Sequence, residues 1–323
     1  MRMATALALA TVALSVPGNS PAPQFTEDGQ LQLPEDYREW VFLSSGVGMT
    51  YGPVGAGRGF PPMFDNVFVA PPAYRSFRET GHWPDKTVFV LEVRYATSHG
   101  SINKDGHFQT DISGVEALVR DEARFPEKWG FFGFPTQGGQ PARTGRPIGP
   151  QAGCLACHTA NGAVDGTFVQ FYPTLLEVAE KKGTVRADFK PFTPSPVRLY
   201  HTLDEQGWSA AEKVLAAAQA EDPGAAVVNP AVLNSVGYEL IGAQKAPLAV
   251  SLFEWIAASQ PRSANAQDSL AEALEAAGES ARARLAAQKA LDLLPGDTTL
   301  NDRQRAGIEQ ASRKRLEAPA GNR

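Results

Sequence analysis

Cysteine usage constrains this 323-residue chain more than any other feature: it has only two cysteines, Cys154 and Cys157, and His158 follows directly. The run Cys154-Leu155-Ala156-Cys157-His158 has the C-x-x-C-H spacing of a c-type haem attachment site. The chemistry explains the spacing. Two thiols about one helical turn apart can each add to a haem vinyl group, and the adjacent imidazole is delivered to the iron as its proximal ligand. A thioredoxin-like dithiol would sit between a strand and a helix of a βαβ unit. Here the segment before the motif, Gln137 to Gly153, is rich in Gly, Pro and Arg and reads as a loop. A zinc site would need a second ligand pair that the sequence does not offer. The expectation is one covalently attached haem c, held by Cys154 and Cys157, with His158 as the metal ligand.

The sixth iron position finds no ligand by sequence order. The four methionines are Met1, Met3, Met49 and Met63, none of which follows His158. His82, His99, His107 and His201 lie in polar surroundings, share no spacing with His158, and read as surface or loop residues. This predicts a five-coordinate haem with an open distal side, a site that binds gases or does chemistry rather than only passing electrons.

The start of the chain predicts a compartment. Met1-Arg2-Met3 is a short basic start, Ala4 to Val16 is mostly apolar, and Pro17-Gly18-Asn19-Ser20 follows, which is the layout of a secretory signal peptide over residues 1–20. No later apolar stretch is long enough to span a membrane, so a soluble protein, periplasmic or otherwise exported, is expected. Lys plus Arg number 30 against 35 Asp plus Glu, a net charge of -5 that gives no general electrostatic reason to seek nucleic acid or an anionic membrane. The basic stretch from Asp302 to Arg323 reads as a solvated terminal helix.

Length favours two domains, and patterning divides the chain into an α+β arrangement: an antiparallel-sheet haem domain followed by an all-α repeat domain. From about Gln30 to Phe134 the sequence reads mainly as β, with strands at Asn66 to Val69, Val88 to Val93, Val115 to Val119 and Trp129 to Phe134, and a short helix at Pro72 to Thr80. The short connections imply antiparallel pairing. Phe168 to Lys182 reads as a helix, and residues 183–197 as a polar, proline-bearing linker. Residues 198–318 turn rich in Ala, Leu, Glu and Gln and carry a 34-residue offset that matches Leu240 with Leu274, Ala249 with Ala283 and Pro261 with Pro295, while Gly237 falls on Ala271. That period resembles the tetratricopeptide repeat. The large residue expected on the second helix is Phe253 in one copy and Ala287 in the other.

Residues 28–182 also resemble the cytochrome P-460 family and its gas-binding relative cytochrome c′-beta. The resemblance rests on Asp28-Gly29, Leu33-Pro34, Tyr37 to Trp40, Val67 to Tyr74, Pro84-Asp85, Trp129, Phe131-Phe132, Cys154 to His158, Asp165, Phe168 and Phe171-Tyr172-Pro173. It implies an antiparallel sheet with packed helices, an open distal pocket, pairing into a homodimer through the haem domain, and either hydroxylamine oxidation or nitric oxide binding. In the enzymes of the family a strand lysine is cross-linked to the haem; the register counted from Pro84-Asp85 puts Leu91 at that position, with Lys86 five residues earlier. The enzymes are also expected to carry a distal carboxylate shortly before the haem motif, where Gln137 to Gly153 has no acid; Asp111 and Glu116 are the remaining candidates. Phe64 and Leu91 are expected to give an apolar distal face.

The leading expectation is a protein that binds nitric oxide or a related small nitrogen oxide. A hydroxylamine or nitric oxide oxidoreductase is the alternative, and an electron-transfer cytochrome the second alternative. The helical repeats would add a surface for a protein partner.

Overall fold

The computed structural model describes residues 22–50, 62–189 and 195–317. The expected signal peptide, residues 1–20, lies outside the described residues. The chain divides into two compact units, Met1–Phe189 and Lys190–Arg323.

The first unit is built on a seven-stranded antiparallel sheet. Its strands are β1 (Leu31–Gln32), β2 (Val41–Val47), β3 (Met63–Val69), β4 (Val88–Thr97), β5 (Phe108–Arg120), β6 (Trp129–Phe134) and β9 (Thr144–Pro147), in the spatial order β1-β9-β6-β5-β4-β3-β2. A two-residue hairpin, β7 (Thr136–Gln137) and β8 (Gln140–Pro141), follows β6. The segment before the haem motif, expected to be loop, therefore contains the strand β9. Its Gly, Pro and Arg residues hid it, because pairing with β6 and β1 rather than β propensity fixes its conformation.

Successive strand residues point to opposite sides of the sheet. Val88, Val90, Val115, Ala117, Val119, Phe132 and Phe134 build one core with Leu31, Tyr37 and Trp40. Val69 and Phe89 build the other, joined by Val67, Leu118 and Trp129, beneath residues of the helices α1 (Pro71–Thr80) and α3 (Pro173–Lys182). The haem motif opens the short helix α2 (Cys154–Asn161). The helix expected from Phe168 is interrupted: residues Val169–Phe171 form a single 3₁₀ turn, and Pro173 starts α3 afresh at a position where its missing N–H costs nothing. The first unit also extends past the expected boundary at 182. Val185 and Phe189 pack on the second core, and Thr184 Oγ1 donates to the Gly81 carbonyl at 2.9 Å.

The second unit is all helical: α4 (Pro196–Gln206), α5 (Trp208–Glu221), α6 (Pro230–Gly242), α7 (Ala246–Ser259), α8 (Ala264–Ala276), α9 (Ser280–Leu293) and α10 (Asp302–Glu317). Its first helix begins at Pro196, two residues before the expected start. The 34-residue period holds to the residue: α6 and α8 begin at 230 and 264, α7 and α9 at 246 and 280. The exchange of Phe253 for Ala287 also has a packing reason. A Cβ on Gly237 would come within 2.3 Å of the Phe253 ring, so the glycine of one hairpin makes the space its phenylalanine fills. The next hairpin replaces that pair with Ala271 and Ala287, both fully buried. The terminal helix is more than a solvated one, since Arg315 on α10 is largely buried and pairs with Asp268, Glu272 and Glu275 of α8. Among the described residues no helix is long and apolar enough to cross a membrane.

Candidate haem site

Helix α2 carries all three motif side chains. Cys154 is its first residue, Cys157 lies one turn on, and His158 is four residues after Cys154, so the three share one side of the helix. Both thiols are free and partly accessible, as addition to vinyl groups requires. Burial pushes the Cys154 thiol up, with Glu116 adding to the effect.

The end of α2 is strongly held. The Gln170 side chain accepts from Ala163 N–H at 3.1 Å and donates to the Asn161 carbonyl at 2.7 Å. Arg186 donates to the Thr159 and Ala160 carbonyls at 2.9 and 2.8 Å, placing a cation at the negative end of the helix. Gly162 then turns the chain so tightly that a Cβ would meet Gly166 C and Thr167 N at 2.6 Å.

His158 is oriented for ligation. Its Nδ1 lies 2.9 Å from the Gly166 carbonyl, which can only accept, so Nδ1 carries the proton and Nε2 presents its lone pair. The ring packs against Phe131 (centroids 5.0 Å) and Phe168 (4.4 Å). Burial lowers its pKa, outweighing the carbonyl contact, and so favours the neutral form that metal binding needs. Of the other histidines, His82 contacts Asp165, His107 contacts Ser98, His201 lies beside Glu205 in the second unit, and His99 is exposed.

The strand register decides which side chains share the sheet face of α2. Phe131 touches His158, so the residues in phase with it belong to that face. Phe131 pairs with Leu118 and Gly133 with Glu116 on β5; Glu116 pairs with Leu91 on β4; Leu91 pairs with Val67 on β3. Met63 and Asp65, in phase with Val67, complete the β3 contribution. Leu91 is thus on the face that carries Phe131. Phe64 is not: it pairs with Arg94, in phase with Glu92 and Asn66, on the opposite face of the sheet, so it does not line a pocket with Leu91.

The same register places a carboxylate on this face. Glu116 stands directly beside Leu91. Its carboxyl is accessible, yet its pKa is pushed up, first by desolvation and then by Asp65, whose own pKa is raised by burial. Gly114, beside Val93 on this face, has nothing within 4 Å of where a Cβ would stand. Lys86 does not reach Leu91, because it is held at the end of the sheet by Asp121 and Asp85. Two free thiols and an imidazole whose Nδ1 is committed to a carbonyl, leaving Nε2 as the ligating nitrogen, fit a covalently attached haem.

A helix-borne attachment motif beside an antiparallel sheet defines the first unit as a haem-binding cytochrome domain. The Cytochrome P460 family model matches residues 34–169 of the chain. Solved structures also resemble the chain: MamA AMB-1, at 20% identity over 51% of this chain and 78% of that one with a TM-score of 0.26, and a MamA mutant, at 19% identity over 51% and 79% with a TM-score of 0.25. A search of curated proteins finds no match.

Proposed function

We propose that this protein is an exported mono-haem c cytochrome that binds nitric oxide or a related small nitrogen oxide at an open distal site. The observation that carries this reading is the His158 Nδ1 contact to Gly166, which leaves one nitrogen free for iron, set beside a sheet face that carries Asp65, Val67, Leu91, Val93 and Glu116, with Met63 at the end of β3. Cys154 and Cys157 would hold the macrocycle and His158 the iron. Haem, when bound, supplies a coordination position and one-electron chemistry. Leu91 and Val67 exclude water and favour a small neutral diatomic.

A second reading, an oxidoreductase acting on hydroxylamine or nitric oxide, is favoured by Glu116. Oxidising hydroxylamine requires protons to leave the nitrogen, and a carboxyl with a raised pKa, next to a second such carboxyl, can accept and hold a proton at its oxygen. The signal-like sequence of residues 1–20 and the c-type attachment motif support export. Phe42 and Val47, about half exposed on the edge strand β2, support pairing of two copies through the sheet unit. The repeated hairpins of the second unit support a docking role toward a protein partner.

Ferric and ferrous absorption spectra of the full-length haem-loaded protein, with and without nitric oxide, test the reading. A five-coordinate c-type ferrous spectrum that shifts on adding nitric oxide is expected. A six-coordinate low-spin spectrum indifferent to nitric oxide would make the protein an electron-transfer cytochrome. Turnover of hydroxylamine that is lost in Glu116→Gln would establish the enzyme.

A further inference from the structure

The carbonyl that orients His158 belongs to a turn anchored far more heavily than its length requires. Val164 to Thr167 is closed by Thr167 N–H donating to the Val164 carbonyl at 2.8 Å. Its central residues, Asp165 and Gly166, have φ of 49° and 69°, the mirror-image turn in which Asp-Gly is preferred. An Asp-Gly turn forms from local preference alone, yet Asp165 is engaged on every side. Its carboxylate accepts from Trp83 N–H at 3.0 Å, lies 3.4 Å from the Arg120 guanidinium, and meets His82 Nδ1 at 3.1 Å. Its carbonyl accepts from Trp129 Nε1–H at 2.9 Å. Arg120 and Trp129 belong to β5 and β6, so one residue ties the turn to two strands of the sheet.

We propose that Asp165 is the positioning residue of the proximal ligand: by locking the Asp165–Gly166 turn to the sheet, it fixes the direction of the Gly166 carbonyl and thereby the strength of the His158–iron bond. The proposal rests on His158 being the proximal ligand. A carbonyl held on the Nδ1–H axis makes the imidazole a better donor to iron, whereas a carbonyl free to swing shares that proton with water and weakens the bond. Outer-shell partners of this kind are commonly worth about 10–100-fold in metal affinity. With haem bound, the strength of the His158 bond would decide whether His158 is retained when nitric oxide binds.

The test uses the haem-loaded full-length protein and nitric oxide as probe. Asp165→Gly keeps the positive φ and removes every side-chain anchor. Asp165→Asn keeps a side chain that tolerates this φ and can accept from Trp83 N–H, but lacks the charge that Arg120 meets. The ratio of five- to six-coordinate ferrous nitrosyl, read by electron paramagnetic resonance, should rise about tenfold or more in Asp165→Gly and by less in Asp165→Asn. The midpoint potential of the unligated haem should shift upward in the same order. A ratio and a potential unchanged in both variants, with thioether attachment intact by mass, would overturn the proposal. Replacing His158 with Ala separates the two claims. If it leaves the parent ligation spectrum unchanged, the assignment of His158 fails; if it changes that spectrum while the Asp165 variants match the parent, only the role of Asp165 fails.

Discussion

The two units solve the problem of holding a chain in place by different means. In the sheet unit, polar side chains join segments remote in sequence: Trp83 Nε1 to Thr167, Trp129 to Asp165, and Tyr37 and Arg38 to the buried Glu92. In the helical unit the recurring device is local and apolar, a hairpin in which a small residue on one helix faces a partner on the next, as Gly237 faces Phe253. Hairpin stacks spread stability over many similar contacts and tolerate exchange of a pair, as Ala271 and Ala287 show. A ligand site needs one imidazole in one orientation, and only over-determined polar contacts provide that. The site therefore lies where the chain crosses itself rather than where it repeats.

The contrast can be broken most severely at the attachment motif. Replacing Cys154 or Cys157 with Ala should abolish the two-thioether linkage, seen as loss of the doubly attached mass, while hydrogen exchange across α6 to α9 stays as in the parent; normal double attachment would refute the role of these thiols. Ending the chain after Phe189 should leave haem attachment and the nitric oxide response of the sheet unit intact, and collapse of haem incorporation would show that the units depend on each other. Phe253→Ala should destabilise the helical unit by about 3–5 kcal/mol through the cavity left against Gly237, measured by exchange or denaturation, with the haem spectrum unmoved.

The smallest effect expected is a difference in acid response. Burial alone would raise the Glu92 carboxyl, but hydrogen bonds from Arg94, Tyr37 and Arg38 outweigh it and hold its pKa below the ordinary glutamate value. A lowered carboxyl contributes stability above the unfolded pKa that is lost as pH falls through the folded one. Asp268 in the helical unit runs the other way: burial raises it above 3.8 despite Arg315, so its contribution is least favourable once pH exceeds the folded value and recovers on acidification. Exchange measured from neutral pH to below 4 should show Glu92 weakening the sheet around β4, with Glu92→Gln flattening that response, and Asp268→Asn flattening the opposite trend between α8 and α10.

Much of this was legible in one dimension. The C-x-x-C-H run has few chemical readings, β-branched runs separated by short turns dictate antiparallel strands, and a 34-residue period forces stacked hairpins. Phe64 and Glu116 show where that legibility stops. Both sheet faces are covered, so Met63 to Val69 is apolar in both phases and its alternation does not mark which phase meets α2. A one-residue parity thus put Phe64 on the wrong face and left Glu116 unplaced. Asp65 carried no signal, since a lone acid in an apolar strand is visible only once its cross-strand neighbours are known. Asp165-Gly166 could be read as a turn, but its partners Trp83, Arg120 and Trp129 lie 36 to 82 residues away.

By itself the sequence determined which groups are at hand, two thiols and an imidazole within five consecutive residues, and the order of sheet and helices from local periodicity. Tertiary structure alone decided which carboxylates share the face of that imidazole and which carbonyl fixes its proton, because strand parity and turn anchoring are set by pairing between segments that no local pattern connects.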